Sequence, residues 1–203
     1  GERSNAIRFF IGLMMFFIFP HFFTKKKKIF LILFSFIIIS IIFSQSHYLK
    51  HRYVKQLTNN FTVKQKREEL FKKNLYINLY RSGINVFKNY PIFGVGNKNY
   101  RVEACNPKKD PKTYYLCNTH PHQLYIEFLS EHGLFGTIIL LSILFFLIFR
   151  ILGVIMRSKN YIQVGCFIYI LTIFTPLLPS GSFFSDFNST IFWINFSLMY
   201  ACN

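Results

Sequence analysis

The chain has 203 residues, 52% of them hydrophobic and 20% aromatic, including 27 Phe, and carries a formal net charge of +16. A soluble domain of this size does not combine so much apolar surface with so much positive charge, and here the apolar residues gather into runs approaching the roughly 20 residues that cross a bilayer. The composition excludes an ordinary soluble enzyme and predicts an all-α, multi-pass membrane protein.

The first apolar run, residues 7–23 (IRFFIGLMMFFIFPHFF), is interrupted only by Arg8 and His21, and Pro20 stands near its end, where a helix stops or kinks. It is preceded by GERSNA, with no Met and no signal-peptide cleavage pattern, so the chain reads as the C-terminal portion of a longer protein. Lys25 to Lys28 follow the run, and residues 29–44 form a second one. Both runs are expected to cross a membrane, the second with help from snorkelling flanks.

Residues 45–133 differ in kind. They hold fifteen Lys and Arg against six Asp and Glu, together with most of the Tyr and Asn. Within them KQKREELFKKNLYINLYRSGINVFKNYP predicts an amphipathic helix, because Tyr76, Tyr80, Ile84 and Phe87 recur at helical spacing and Pro91 ends the pattern. The Gly, Pro and Asn content of the next stretch predicts turns. The segment is too aromatic to be a mere linker, and its basic charge beside a membrane points to an anionic lipid or lipid-linked partner rather than nucleic acid. Cys105 and Cys117 lie in this loop and either form a disulfide or remain two free thiols.

Residues 134–155 make a third run, 161–178 a fourth and 190–202 a fifth. The expected organisation is therefore two transmembrane helices in 1–44, an extramembrane loop in 45–133 and three transmembrane helices in 134–203. Lys25 to Lys28 in one short connection, and Arg157 with Lys159 in another, place those turns in the cytoplasm and the large loop outside.

The chemistry concentrates in THPHQLYIEFLSEHGLFGT, residues 119–137. Thr119 can cap a helix, Pro121 suits its first turn and Gly133 its end, with Gly133 and Gly136 allowing a tight break into the next span. His122 would then sit in the first turn, where the helix dipole disfavours an imidazolium and leaves a neutral ring able to act as a base. The same helix end suits an anion. A metal site is weakly supported, since His120 and His122 supply two ligands and only Cys105 and Cys117 stand nearby; none is expected.

HQLYIEFLSEHGLFG resembles the signature of the O-antigen ligase and O-antigen polymerase superfamily of bacterial membrane proteins. That signature is His, then Asn, Ser or Gln, nine residues, Gly, two residues, then Gly, Thr or Tyr; His122, Gln123, Gly133 and Gly136 fit it. GERS before an apolar run, RSGINVFKNYPIFGVGNKNY and GSFFSDFNSTIFW are also similar to segments of that family. The resemblance implies a GT-C-like fold with one large periplasmic loop, and a glycosyltransferase without metal or other cofactor. Its donor would be a glycan on undecaprenyl pyrophosphate, and its acceptor lipid A-core or another glycan hydroxyl, at the outer face of the inner membrane.

By the same resemblance, His122 is the general base and Arg81 and Arg3 hold the pyrophosphate, with Gln123 and His120 as auxiliary substrate-binding residues. A complete member has about a dozen helices, so five would leave part of the lipid cavity elsewhere. O-antigen polymerase and protein O-oligosaccharyltransferase share the donor chemistry. A transporter would want charged or broken helices at mid-membrane, and these spans are almost free of charge.

Overall fold

The computed structural model describes residues 2–18, 24–51, 74–106 and 114–202, without the side chains of Glu2, Arg3 and Ile18. The described residues contain helices and no strand: α1 (Glu2–Ile18), α2 (Lys25–Gln45), α3 (His47–Lys50), α4 (Leu75–Asn89), α5 (Tyr100–Ala104), α6 (Leu124–Ile155), α7 (Tyr161–Ile173) and α8 (Asp186–Ala201). They fall into two compact units, Pro20–Leu75 and Gly1–Phe19 with Tyr76–Asn203.

In the smaller unit, α2 is apolar all round and has no buried residue, the pattern of a helix whose solvent is lipid. The four lysines expected in a connecting loop instead form its first turn, capped by Thr24, whose side chain accepts from Lys27 N. Cations at a helix N-terminus oppose the macrodipole, so helix electrostatics do not explain their placement. Pro20 and His21 lie outside the described residues, as does the start of the predicted amphipathic helix before residue 74.

The larger unit is a bundle of α1, α6, α7 and α8, with the α4–α5 region folded over one end. Among the described residues two helices, α2 and α6, are long and apolar enough to cross a membrane; α1 and α7 carry shorter apolar stretches. The predicted run 161–178 stops as a helix at Ile173, because Pro176 disfavours helical backbone at Thr175. Asn160 caps the start of α7 by accepting from Ile162 N and Gln163 N, and Ser185 caps α8 by accepting from Asn188 N. The bundle core is aliphatic and aromatic, with Leu144, Ile155, Ile170, Phe192 and Met199 almost inaccessible.

The sequence places Gly133 at the end of one helix and the start of another. The structure confirms the break: Gly133 adopts φ 63°, ψ −171°, a region open essentially to glycine alone. Gly136, by contrast, is helical and takes no part in the break; its missing side chain leaves room for His132, whose Cβ would stand 2.8 Å from an added methyl.

The turn-rich stretch 91–96 lies along this break and bonds to both sides of it. Val95 N and Gly96 N donate to the carbonyls of Ser130 and Glu131 before it (3.1 and 2.8 Å), and Leu134 N and Phe135 N after it donate to Pro91 and Ile92 (2.8 and 3.1 Å). The backbone groups freed by interrupting α6 are thus satisfied by the neighbouring segment.

A small core of Val86, Tyr100 and Ala104, flanked by Val95 and Tyr115, holds α4 and α5 together. Ser82 sits at its centre, accepting from Tyr100 Oη (2.9 Å) and Leu116 N (3.0 Å), while Asn85 donates to the Tyr114 carbonyl (2.8 Å). Cys105 and Cys117 are joined by a disulfide, with their Cα atoms 4.4 Å apart.

Candidate active site

Residues 118–123, without regular secondary structure, run from the disulfide to α6 and deliver the two histidines. The helix does not begin at Thr119. It begins at Leu124, and Gln123 is the cap: its backbone is extended and its Oε1 accepts from Ile126 N at 2.8 Å. Thr119 Oγ1 instead contacts Asn118 Oδ1 (3.2 Å) and His120 Nδ1 (3.0 Å). Pro121 is buried against α4, where Gly83 has no side chain to obstruct it; a Cβ there would stand 2.8 Å from Pro121 Cβ.

His122 therefore lies just before the helix rather than in its first turn, with φ 57°, a left-handed conformation that costs a non-glycine residue energy and recurs at functional sites. Its carbonyl accepts from Ser180 N at 2.9 Å. Its ring is 3.9 Å from that of His120 and meets Tyr76 of α4 edge-on at 6.0 Å. Burial pulls the His122 pKa below the ordinary histidine value. For His120, burial and the adjacent His122 together pull it to about 4. Burial favours the neutral form of both rings, with the neighbouring His122 adding to it at His120, where the sequence suggested the helix dipole.

Beside this pair is a cavity of about 540 Å3, lined by Arg8 and Asn5 of α1, Leu124 of α6, Tyr169 of α7, and Ser180, Gly181 and Asn188. Four polar atoms here and next to it are buried without a hydrogen-bond partner among the described residues: Arg8 Nε, Tyr80 Oη, His120 Nε2 and Ser180 Oγ. Arg8 lies close enough to Tyr80 for their charges to interact, although burial still pushes the phenol's pKa up. Arg8 and Ser180 line the cavity itself, and because buried polar atoms without partners are costly, the cavity suits a polar ligand.

Of the two expected arginines, Arg81 is exposed and stands on the face of α4 opposite the buried Leu79, Ser82, Gly83 and Val86. Arg3 lies in α1, and its side chain is outside the described residues. Arg8, passed over as an interruption in an apolar run, is the described arginine that reaches the cavity. A lone arginine in an apolar helix was the available signal.

Two carboxylates also escaped the sequence reading. Glu127, fully buried, accepts from Ser182 Oγ and from Phe183 N (3.0 Å), tying the 180–185 loop to α6. Glu131, also buried, accepts from Lys98 N at 3.0 Å and so holds the entry to α5. No cluster of three or more His, Cys, Asp or Glu side chains able to hold a metal occurs among the described residues.

The described residues, all helix and connecting segments with two apolar helices of membrane-crossing length and a desolvated histidine pair where one of them starts, are those of a helical membrane protein with a polar site at a helix end. The family model described as O-antigen ligase matches residues 1–141, from α1 through the histidine motif and past the helix break. The chain belongs to the O-antigen ligase family, and a ligase or polymerase type of function follows from that membership. No curated protein and no solved structure matches it.

Proposed function

We propose that the chain carries the catalytic site of a metal-independent O-antigen ligase. On this reading it transfers a glycan from undecaprenyl pyrophosphate to a hydroxyl of lipid A-core at the periplasmic face of the inner membrane. Residues 45–133 form the periplasmic catalytic loop, and the helices on either side form membrane spans. The observation that carries the reading is His122, its ring desolvated and its backbone left-handed, beside a cavity where Arg8 Nε and Ser180 Oγ are buried without protein partners.

His122 accepts the proton of the acceptor hydroxyl as that oxygen attacks the anomeric carbon; general-base assistance of this kind is worth roughly 10² to 10⁴ in rate. The anomeric carbon–oxygen bond to the pyrophosphate breaks, and undecaprenyl pyrophosphate leaves with the bonding pair. Arg8, Tyr80 and Ser180 are the donors placed to meet the charge on that group, where a guanidinium bond is stronger than a neutral one. Arg81 and Arg3, which the family resemblance names, supply positive charge at the approach. His120 orients His122, and Gln123 sets the helix start that positions it.

The test is His122→Ala in the full-length protein, scored by polysaccharide attached to lipid A-core. Ligation at the wild-type level sinks the assignment. Single-unit attachment with loss of chain length would make the protein a polymerase of repeat units.

A further inference from the structure

At the end of α6 remote from His122 there is a second cavity, of about 520 Å3, lined by Arg150, Gly153, Val154, Arg157, Ser158, Gln163 and Cys202. We propose that it binds the phosphodiester headgroup of an acidic phospholipid, whose acyl chain lies along the adjoining face of α6. The proposal is independent of the glycosyl-transfer reading.

The helical register places the parts. Ile139, Ile143, Phe146, Arg150, Gly153 and Arg157 follow one another at steps of four or three residues and so form a single stripe. The three apolar members are exposed, at 45%, 54% and 65%. The 11 residue steps from Ile139 to Arg150 make an apolar strip roughly 16 Å long at about 1.5 Å per residue, of the order of an acyl chain, and it ends at two guanidinium groups. Between those groups Gly153 opens the groove: a Cβ there would meet nothing within 4 Å.

Among the described residues no carboxylate stands at the groove. Neither arginine forms a salt bridge with a described residue, and the described carboxylates Glu103, Glu127, Glu131 and Asp186 belong to the other end of the bundle, where Asp186 pairs with Lys98. The C-terminal carbonyls of α8, which would repel an anion, are taken by amide donors: Gln163 Nε2 bonds Met199 O at 3.0 Å and Asn160 Nδ2 bonds Cys202 O at 3.4 Å. A basic groove between helices at a membrane surface recognises anionic headgroups, and the apolar strip favours a lipid over a free phosphate ion.

The experiment places the full-length protein in nanodiscs of equal phosphatidylglycerol and phosphatidylethanolamine and measures the lipids retained on extraction by native mass spectrometry. Wild type should retain phosphatidylglycerol in preference. Arg150→Gln with Arg157→Gln should reduce that retention at least tenfold, and Gly153→Leu, which keeps both charges and the helix, should reduce it by blocking the groove. Ten millimolar inorganic phosphate, on the order of a strongly competing concentration for a free-ion site, should leave retention unchanged. Equal retention by the double variant, no preference between the two lipids, or displacement by inorganic phosphate would each overturn the proposal. Should the double variant fail to fold, undiminished retention by Gly153→Leu would overturn it as well.

Discussion

Gly94 and Gly133 lie back to back. Each has positive φ, at 68° and 63°, and a Cβ added to either would collide with the backbone around the other. The contact joins the turn-rich segment after α4 to the break in α6, so two distant parts of the chain meet where neither tolerates a side chain. Gly133→Ala should destabilise the fold by about 3 kcal/mol or more, combining left-handed strain with overpacking. Gly165→Ala, where an added Cβ meets nothing within 4 Å, should be neutral or slightly stabilising. Thermal unfolding in detergent distinguishes the two; equal melting temperatures would contradict the back-to-back contact.

The disulfide closes a short loop, with its cysteines 12 residues apart, between the end of α5 and the irregular segment that carries the histidines. Cys105→Ser with Cys117→Ser should cost roughly 3 kcal/mol by the loop-closure argument. A reductant should lower the wild-type melting temperature and leave that of the double variant unchanged.

Acid should act on the site through its histidines. A histidine whose pKa is depressed in the folded state leaves stability unaffected above its unfolded value. As pH falls below that value, the unfolded chain binds the proton first and stability declines. For His120 that window runs from 6.5 down to about 4. The melting temperature should fall across this range, and His120→Asn should flatten the fall. Transfer activity should persist down through pH 6.5, since burial keeps the His122 base neutral below its ordinary value. An acid limb centred above 6.5 would argue against His122 as the base.

The arginines should separate kinetically. Arg8→Gln removes a donor inside the cavity and should lower kcat by roughly 10², the scale of losing one preorganised donor to developing charge. Arg81→Gln, on the exposed face of α4, should raise KM for the lipid-linked donor with kcat largely kept. Loss of kcat in Arg81→Gln with none in Arg8→Gln would reverse these roles.

What could be read in the sequence was local. Apolar runs announced α2 and the long part of α6, and Gly133 announced a break because a lone glycine between a helical pattern and a membrane-length run has few other uses. The cap was misassigned to Thr119 because its side chain prefers its own neighbours, Asn118 and His120, once the segment is extended; Gln123, a rarer cap, takes the position. Non-local relations left no trace in the pattern. The pairing of Gly94 with Gly133, the burial of Glu127 against the 180–185 loop and of Glu131 against Lys98, and the turning of Arg8 rather than Arg81 toward the cavity all depend on how helices pack. Helical spacing grouped Tyr76, Tyr80, Ile84 and Phe87 on one stripe, whereas the face of α4 that is covered carries Leu79, Ser82, Gly83 and Val86.

Because residues 91–96 bond to the carbonyls before the break and to the amides after it, the interruption in α6 is splinted and does not act as a hinge. The short helix that follows His122 is thereby fixed in angle to the long apolar helix. If that helix crosses the bilayer, the imidazole stands at a set height above the hydrocarbon. On the proposed function, reach then becomes the selecting dimension: a donor or acceptor would be admitted according to how far its reacting group projects from its own lipid anchor.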